Sequence, residues 1–287
     1  RDAARHAGVV TAIWRRRTRR LRRRIRRFPV EQPQNTAAPD KLMLDRKDAS
    51  AGSAAQKTAH VRVHTGLKEA LMNGDFLPGQ RLVVRQLAEQ YRTSAMPVRE
   101  ALRQLVSDEA MFDHPNRGVI VPEATVARIS DLVRVRCSVE GTAAEWAATT
   151  ITPEELDELA KLNGLMRECV ESNVMASYLG LNRRFHFTMY HAARSPLIQQ
   201  IIEKLWLQAG PFLNIVRSDV TYGLGLDHHD EMLAALRRAD GAAARKALVA
   251  DLREAADIIL RAAAAAEAQP ARKRPASARR DPKAQAR

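Results

Sequence analysis

"RTSAMPVREALRQLVSDE", Arg92 to Glu109, reads as a tight turn entering a helix with two unlike faces. Ser94 stands at a plausible N-cap, where a side-chain oxygen can meet a free N–H of the first turn. Pro97 falls in that turn, where a missing N–H leaves no helical bond unmade. Val98, Ala101, Leu102 and Leu105 then recur at helical spacing on one face. Arg99, Arg103 and Gln104 fall on the other. Only the small Ala95 and the apolar Met96 occupy the leading edge.

The flanks complete the unit. Leu87, Ala88 and Tyr91 mark a short preceding helix, and Val63, Leu67 and Leu71 share a face of an earlier one. Gly74 ends that first helix and Pro78-Gly79 turns the chain. Downstream, "MFDHPNRGVIV" holds two strand-like pieces around Pro115-Asn116-Arg117-Gly118, a β-hairpin. Three helices and a hairpin over residues 58–123 describe a winged helix-turn-helix. The second helix of such a motif enters the major groove N-terminus first. Free N–H groups and the Ser94 hydroxyl then meet a phosphate. Arg99 reaches a guanine edge or a phosphate, and Arg85 clamps the backbone from the preceding helix. Arg117 at the hairpin tip enters the minor groove, with Gly118 allowing close approach. The same spacing also suits a three-helix protein-interaction module with solvated arginines.

With 287 residues there is room for a second domain, and residues 124–267 read as all-helical. Leu132, Val135, Val139 and Ala143 share a face, and Thr152-Pro153-Glu154-Glu155 is a capping box with Pro at the first helical position. Ser195-Pro196 and Asp240-Gly241 are further starts, and a last helix from about Ala242 to Ala266 ends in an alanine run. Six or seven helices fit. The fold class is therefore mostly α: a winged helix-turn-helix followed by an all-α bundle.

The net charge of +14 does not itself argue for DNA. Residues 1–47 hold 15 Lys/Arg against 4 Asp/Glu and residues 270–287 hold 7 against 1, which leaves 25 against 28 for the rest. The basic charge lies in tails at 1–57 and 268–287 that read as disordered. "WRRRTRRLRRRIRRF" could bind RNA, nonspecific DNA or anionic lipid through its arginines, or be sequence upstream of a start at Met43. No window approaches the roughly 18 apolar residues of a bilayer span, which excludes an integral membrane protein. Cys137 and Cys169 read as small core residues in a reducing, cytoplasmic setting.

The stretch from Leu67 to Val121 resembles the DNA-binding domain of GntR-family bacterial transcription regulators. The resemblance rests on Pro78-Gly79-Gln80-Arg81-Leu82, Leu87-Ala88-Glu89, Pro97-Val98-Arg99-Glu100-Ala101-Leu102 and Asn116-Arg117-Gly118. The helical segment resembles the FCD effector domain of the FadR subfamily. The resemblance implies a cytoplasmic homodimer on a pseudosymmetric double-stranded operator, its affinity modulated by a small organic acid. DNA contacts would fall on Arg85, Ser94, Arg99 and the Asn116–Gly118 wing. Family members usually carry an arginine and then a Thr where this chain has Ala95 and Met96. Specificity then shifts to Arg99, the wing and DNA shape, with Met96 available to a thymine methyl.

In the effector domain the resemblance implies a divalent metal (Zn, Ni, Mn or Fe). The family's Asp-x-x-x-His pair falls on Asn182 and His186, and its later histidines fall on His229 and Asp251. Asn182 replaces an anionic ligand and Asp251 restores one; the alternative is an apo pocket of satisfied polar residues. His228 is expected to face solvent. Arg136 matches the arginine that pairs with an effector carboxylate, the alternative being a salt bridge to Glu140 four residues on. Arg134 points to another face. A rival reading makes His186, His229 and Asp251 the centre of a metal-dependent enzyme acting on small organic acids, though no general base stands at a recognisable spacing.

Overall fold

The computed structural model describes residues 48–172, 177–216 and 225–268. The arginine-rich tail and nearly all of the C-terminal tail, with the readings made of them, lie outside the described residues. The DNA-binding unit comprises α1 (Asp48–Met72), α2 (Val84–Gln90), α3 (Ala95–Ser107) and the strands β1 (Phe112–His114) and β2 (Gly118–Ile120). The helical unit comprises α4 (Val126–Thr150), α5 (Pro153–Glu171), α6 (Tyr178–Ala192), α7 (Pro196–Val216), α8 (Leu226–Arg237) and α9 (Gly241–Glu267). The architecture is the mostly helical winged helix-turn-helix plus bundle that the patterning indicates. Helix α1 begins at Asp48, inside the 1–57 segment whose sequence reads as tail. That stretch, "DASAGSAAQKTA", contains no proline, and its alanines support helix continuously into the amphipathic part.

In the DNA-binding unit the buried stripe of α3 (Val98, Ala101, Leu102 and Leu105) packs on Val63, Leu67 and Leu71 of α1. Tyr91, after α2, seats its ring directly over Gly66, where a β-carbon would collide with it. The strands pair antiparallel, Phe112 with Ile120 and His114 with Gly118. A bridge from Arg81 to Ile120 ties the wing back to the turn before α2.

In the helical unit α4 and α9 run antiparallel at close range. The Val126 N–H donates to Glu267 at one end (2.9 Å), and Gly241 lies against the Glu145 carbonyl at the other. Buried Gly141 admits the Arg245 and Val249 side chains midway. The capping box forms as read: Thr152 Oγ1 accepts from Glu155 N–H at 3.3 Å, and Glu155 accepts from Thr152 N–H at 3.0 Å. Asp240 caps α9 through the Ala243 N–H. One apolar core runs from Val63 in the DNA-binding unit through to Leu252 in the bundle, so the two units share buried surface.

Candidate functional sites

The first site is the surface of α3 and the wing. Burying Val98, Ala101, Leu102 and Leu105 turns Arg99, Arg103 and Gln104 outward, all exposed. Ser94 occupies the N-cap position of α3 with extended backbone, yet its side chain makes no cap bond. Its hydroxyl and the first-turn N–H groups therefore face outward together. Ala95 and Met96 follow at the exposed tip, Met96 with half its surface open. Arg85 stands exposed on α2, leaning on Glu89 at 3.1 Å. At the hairpin, Arg117 N–H donates to the His114 carbonyl, and Asn116 N–H reaches His114 Nδ1 at 3.3 Å. Gly118 has φ of +66°, a left-handed conformation that favours glycine, and open space lies where a side chain would project.

The second site is buried in the bundle. His186 on α6, His229 on α8 and Asp251 on α9 bring three ligand-type atoms within 4.8 Å of one another. Helix packing alone unites them, since 65 residues of chain separate His186 from Asp251. His186 Nε2 lies 3.4 Å from Asp251 Oδ2, and His229 Nε2 lies 3.8 Å from Asp251 Oδ1. Neither ring nitrogen of the fully buried His229 has a hydrogen-bond partner. Buried polar atoms are normally bonded, so the unpartnered His229 Nε2, 3.8 Å from a carboxylate oxygen, fits a cation bound between them. The ionisation states agree: burial holds His186 well below its ordinary value and takes His229 to about 3, so both rings are neutral, the form that can coordinate a metal. Burial also raises Asp251 to about 7, the mark of a carboxylate lacking a compensating charge. Asn182 lies half-buried one turn before His186 on α6.

A polar layer orients this cluster. Tyr190 donates its hydroxyl to Glu140 Oε2 at 2.5 Å and lies 3.3 Å from His186 Nδ1. With the hydroxyl proton committed to Glu140, the phenol oxygen accepts Nδ1–H, leaving the Nε2 lone pair toward Asp251. Trp206 of α7 donates Nε1–H to the same Glu140 oxygen at 3.1 Å. Arg136 gives Nε and Nη2 to Glu140 at 2.5 and 3.1 Å and lies over the Trp206 ring. Of the two partners open to Arg136, Glu140 is thus engaged. Tyr190 and Trp206 were not picked out by sequence reasoning; only the i, i+4 spacing of His186 and Tyr190 could have signalled one of them.

Two neighbours refine the picture. Arg134 is exposed and pairs with Asp131 at 2.6 Å, on a different face from Arg136. His228 does not face open solvent as expected; its ring is three-quarters buried between Glu231 and Glu254, at 3.5 and 3.6 Å. Consecutive helical residues differ by about 100° in direction, and Glu254 on α9 stands where His228 projects. Cys137 and Cys169 are free and half-buried. No helix among the described residues is long and apolar enough to cross a membrane.

Comparison with known proteins agrees with this two-unit reading. Residues 60–121 match the bacterial regulatory proteins of the gntR family, and residues 131–254 match the FCD domain. The HTH-type transcriptional regulator McbR of Escherichia coli K12 is 32% identical over 191 residues, covering 66% of this chain and 86% of that protein. The HTH-type transcriptional repressor RspR of the same strain is 23% identical over 199 residues, covering 69% and 87%. Among solved structures, E. coli McbR/YncC superposes with a TM-score of 0.66 at 30% identity, covering 70% of this chain and 96% of that one. A GntR transcriptional regulator from Rhodococcus sp. RHA1 gives 0.60 at 25% identity, covering 71% and 98%.

Proposed function

This chain belongs to the gntR family of bacterial regulatory proteins and is a transcription regulator with an FCD domain; on that premise we propose that it is a metal-containing, carboxylate-responsive homodimer of the FadR subfamily. The metal-dependent enzyme reading gives way, because the relatives are named as regulators. Each protomer sets the first turn of α3 into the major groove of one half of a pseudosymmetric operator. Ser94 and the free N–H groups there hold a phosphate, and Arg99 reads a base edge. Met96 offers an apolar contact to a thymine methyl, and Ala95 leaves its base unread. Arg85 clamps the backbone, while Asn116, Arg117 and Gly118 bring the wing to the minor groove. Such an operator-binding role places the protein in the cytoplasm.

The observation that carries the ligand-responsive part is the unbonded Nε2 of buried His229, which faces Asp251 within a cluster completed by His186. These three residues, with Asn182 one turn from His186, would hold a divalent ion of the Zn, Ni, Mn or Fe class. The ion would supply a positive centre for an effector carboxylate. Arg136 stands beside that centre, and Glu140 holds its guanidinium in a fixed plane for a bidentate contact.

Band-shift titration on promoter-region DNA across a salt series tests the DNA-binding part. Wild-type binding is expected to be specific and to weaken steeply with salt. Arg99→Ala should weaken it by about 1–3 kcal/mol, roughly 5- to 150-fold. Absence of any specific band at every salt concentration refutes the reading. Calorimetric Zn(II) titration tests the metal part: wild-type binding, with none in His229→Ala, is the expected result.

A further inference from the structure

Along one short run of α7, from Glu203 to Gly210, a single helix touches both the surroundings of the buried cluster and the DNA-binding unit. On one face, Trp206 is almost fully buried, bonds Glu140, and sets its ring 5.6 Å from that of His186 and 5.0 Å from the Arg136 guanidinium carbon. On the adjacent face, Glu203 accepts from Lys68 Nζ of α1 at 2.6 Å. Lys204 Nζ lies 3.9 Å from Asp108, the residue that closes the recognition helix. Gln208 accepts from Arg128, whose guanidinium lies over the ring of Phe112 in the wing. Helix α1, the end of α3 and, through Arg128, strand β1 are thus referenced to this one helix.

The crossing at Gly210 has no play in it. A β-carbon there would strike the carbonyl oxygen of Leu71 and the backbone of Met72, so α7 and α1 meet backbone to backbone. No flexible side chain lies between them to absorb a displacement. Pro211 follows immediately and cannot donate to the Leu207 carbonyl, which makes this turn the easiest place for α7 to bend. Arg183, beside Asn182 on α6, adds a second link by reaching Met72 Sδ at 3.8 Å. Close-packed interiors shift between discrete arrangements rather than yield gradually.

We propose that α7 is the coupling element of this regulator, with Trp206 as a positioning residue that senses the His186–His229–Asp251 site and the Gly210–Leu71 crossing as the joint that moves the DNA-binding unit. Any occupant that draws on His186, or on the Arg136–Glu140 pair, changes what Trp206 can bond and pack against. Displacement of Trp206 moves α7, and α1 follows because the crossing cannot compress. The use of this coupling rests on the ligand-responsive reading above; its existence does not.

Hydrogen–deuterium exchange on the full chain, free of metal and DNA, tests the coupling itself. Trp206→Phe keeps an aromatic ring and removes the bond to Glu140; it should speed exchange across residues 66–74 by about threefold or more, while α5 stays as in wild type. Glu203→Gln, which touches only the outer contact, should speed exchange across residues 183–190 and supplies the same test from the other side if the tryptophan variant does not fold. If each variant alters only the segment it touches, the coupling is refuted. Zn(II) added to wild type bound to promoter-region DNA then tests the use. A change in operator affinity of about 5- to 150-fold that falls to within about twofold in Trp206→Phe supports α7 as the route. The same change surviving in Trp206→Phe overturns it. Exchange coupling without any Zn(II) effect on operator affinity leaves the joint standing and removes the ligand-responsive reading instead.

Discussion

Glu140 is a fully buried carboxylate that accepts from Arg136, Tyr190 and Trp206. Burying one charge alone is costly, and only a partner charge with saturated hydrogen bonding offsets it. Arg136 at i+4 spacing was legible in the sequence, because one helix fixes that geometry. Tyr190 and Trp206 were not, since they arrive from 50 and 66 residues away. His229 carries a testable consequence at the same scale. Unfolded histidine titrates near 6.5, whereas folded His229 takes a proton only at about 3 and folded His186 well below 6.5, in each case chiefly through burial. Their folded pKa is depressed, so their contribution is fully present above pH 6.5 and is lost progressively as pH falls below it. Asp251, raised to about 7, opposes this over the same window; with two histidines against one carboxylate, thermal melts of chelator-treated protein should still show the midpoint falling from pH 7 to pH 5. His229→Gln, which does not titrate, should flatten that slope.

Among the helices, the starts were the most legible features, because a cap is a local arrangement of adjacent residues. Thr152 and Asp240 cap α5 and α9 where the sequence indicates. Thr152→Ala removes one half of the box at α5 and should lower unfolding free energy by about 1 kcal/mol, read as a shift in urea midpoint without a change in slope. An unchanged midpoint would mean that packing alone fixes that end. Ser94 stands apart. It holds the N-cap position of α3 without a cap bond, so its exposed hydroxyl is not committed to closing the helix. Where α1 begins was less legible, because an alanine-rich stretch before the amphipathic run carries no periodicity to mark its state. His228 illustrates the same limit: its helical direction followed from its position, but the presence of Glu254 there depends on how α9 packs.

Across the whole molecule, the shared core and the backbone crossing at Gly210 make the two units one mechanical body. A ligand that binds only the folded form stabilises it by mass action, by about 2.7 kcal/mol at 100 times its dissociation constant. Zn(II) at that excess should therefore raise the melting temperature of wild type, and the rise should disappear in Asp251→Ala. A rise of equal size in that variant would place the ion elsewhere. The sequence by itself determined the winged helix-turn-helix, the helical class of the second unit and the arginine face of α3, because periodicity, caps and turn residues act over a few neighbours. Only the tertiary structure decided which partner Arg136 takes, how His186, His229 and Asp251 converge, and that α7 joins them to α1. Those depend on long-range packing between helices, and no local pattern of residues encodes which helix will lie against which.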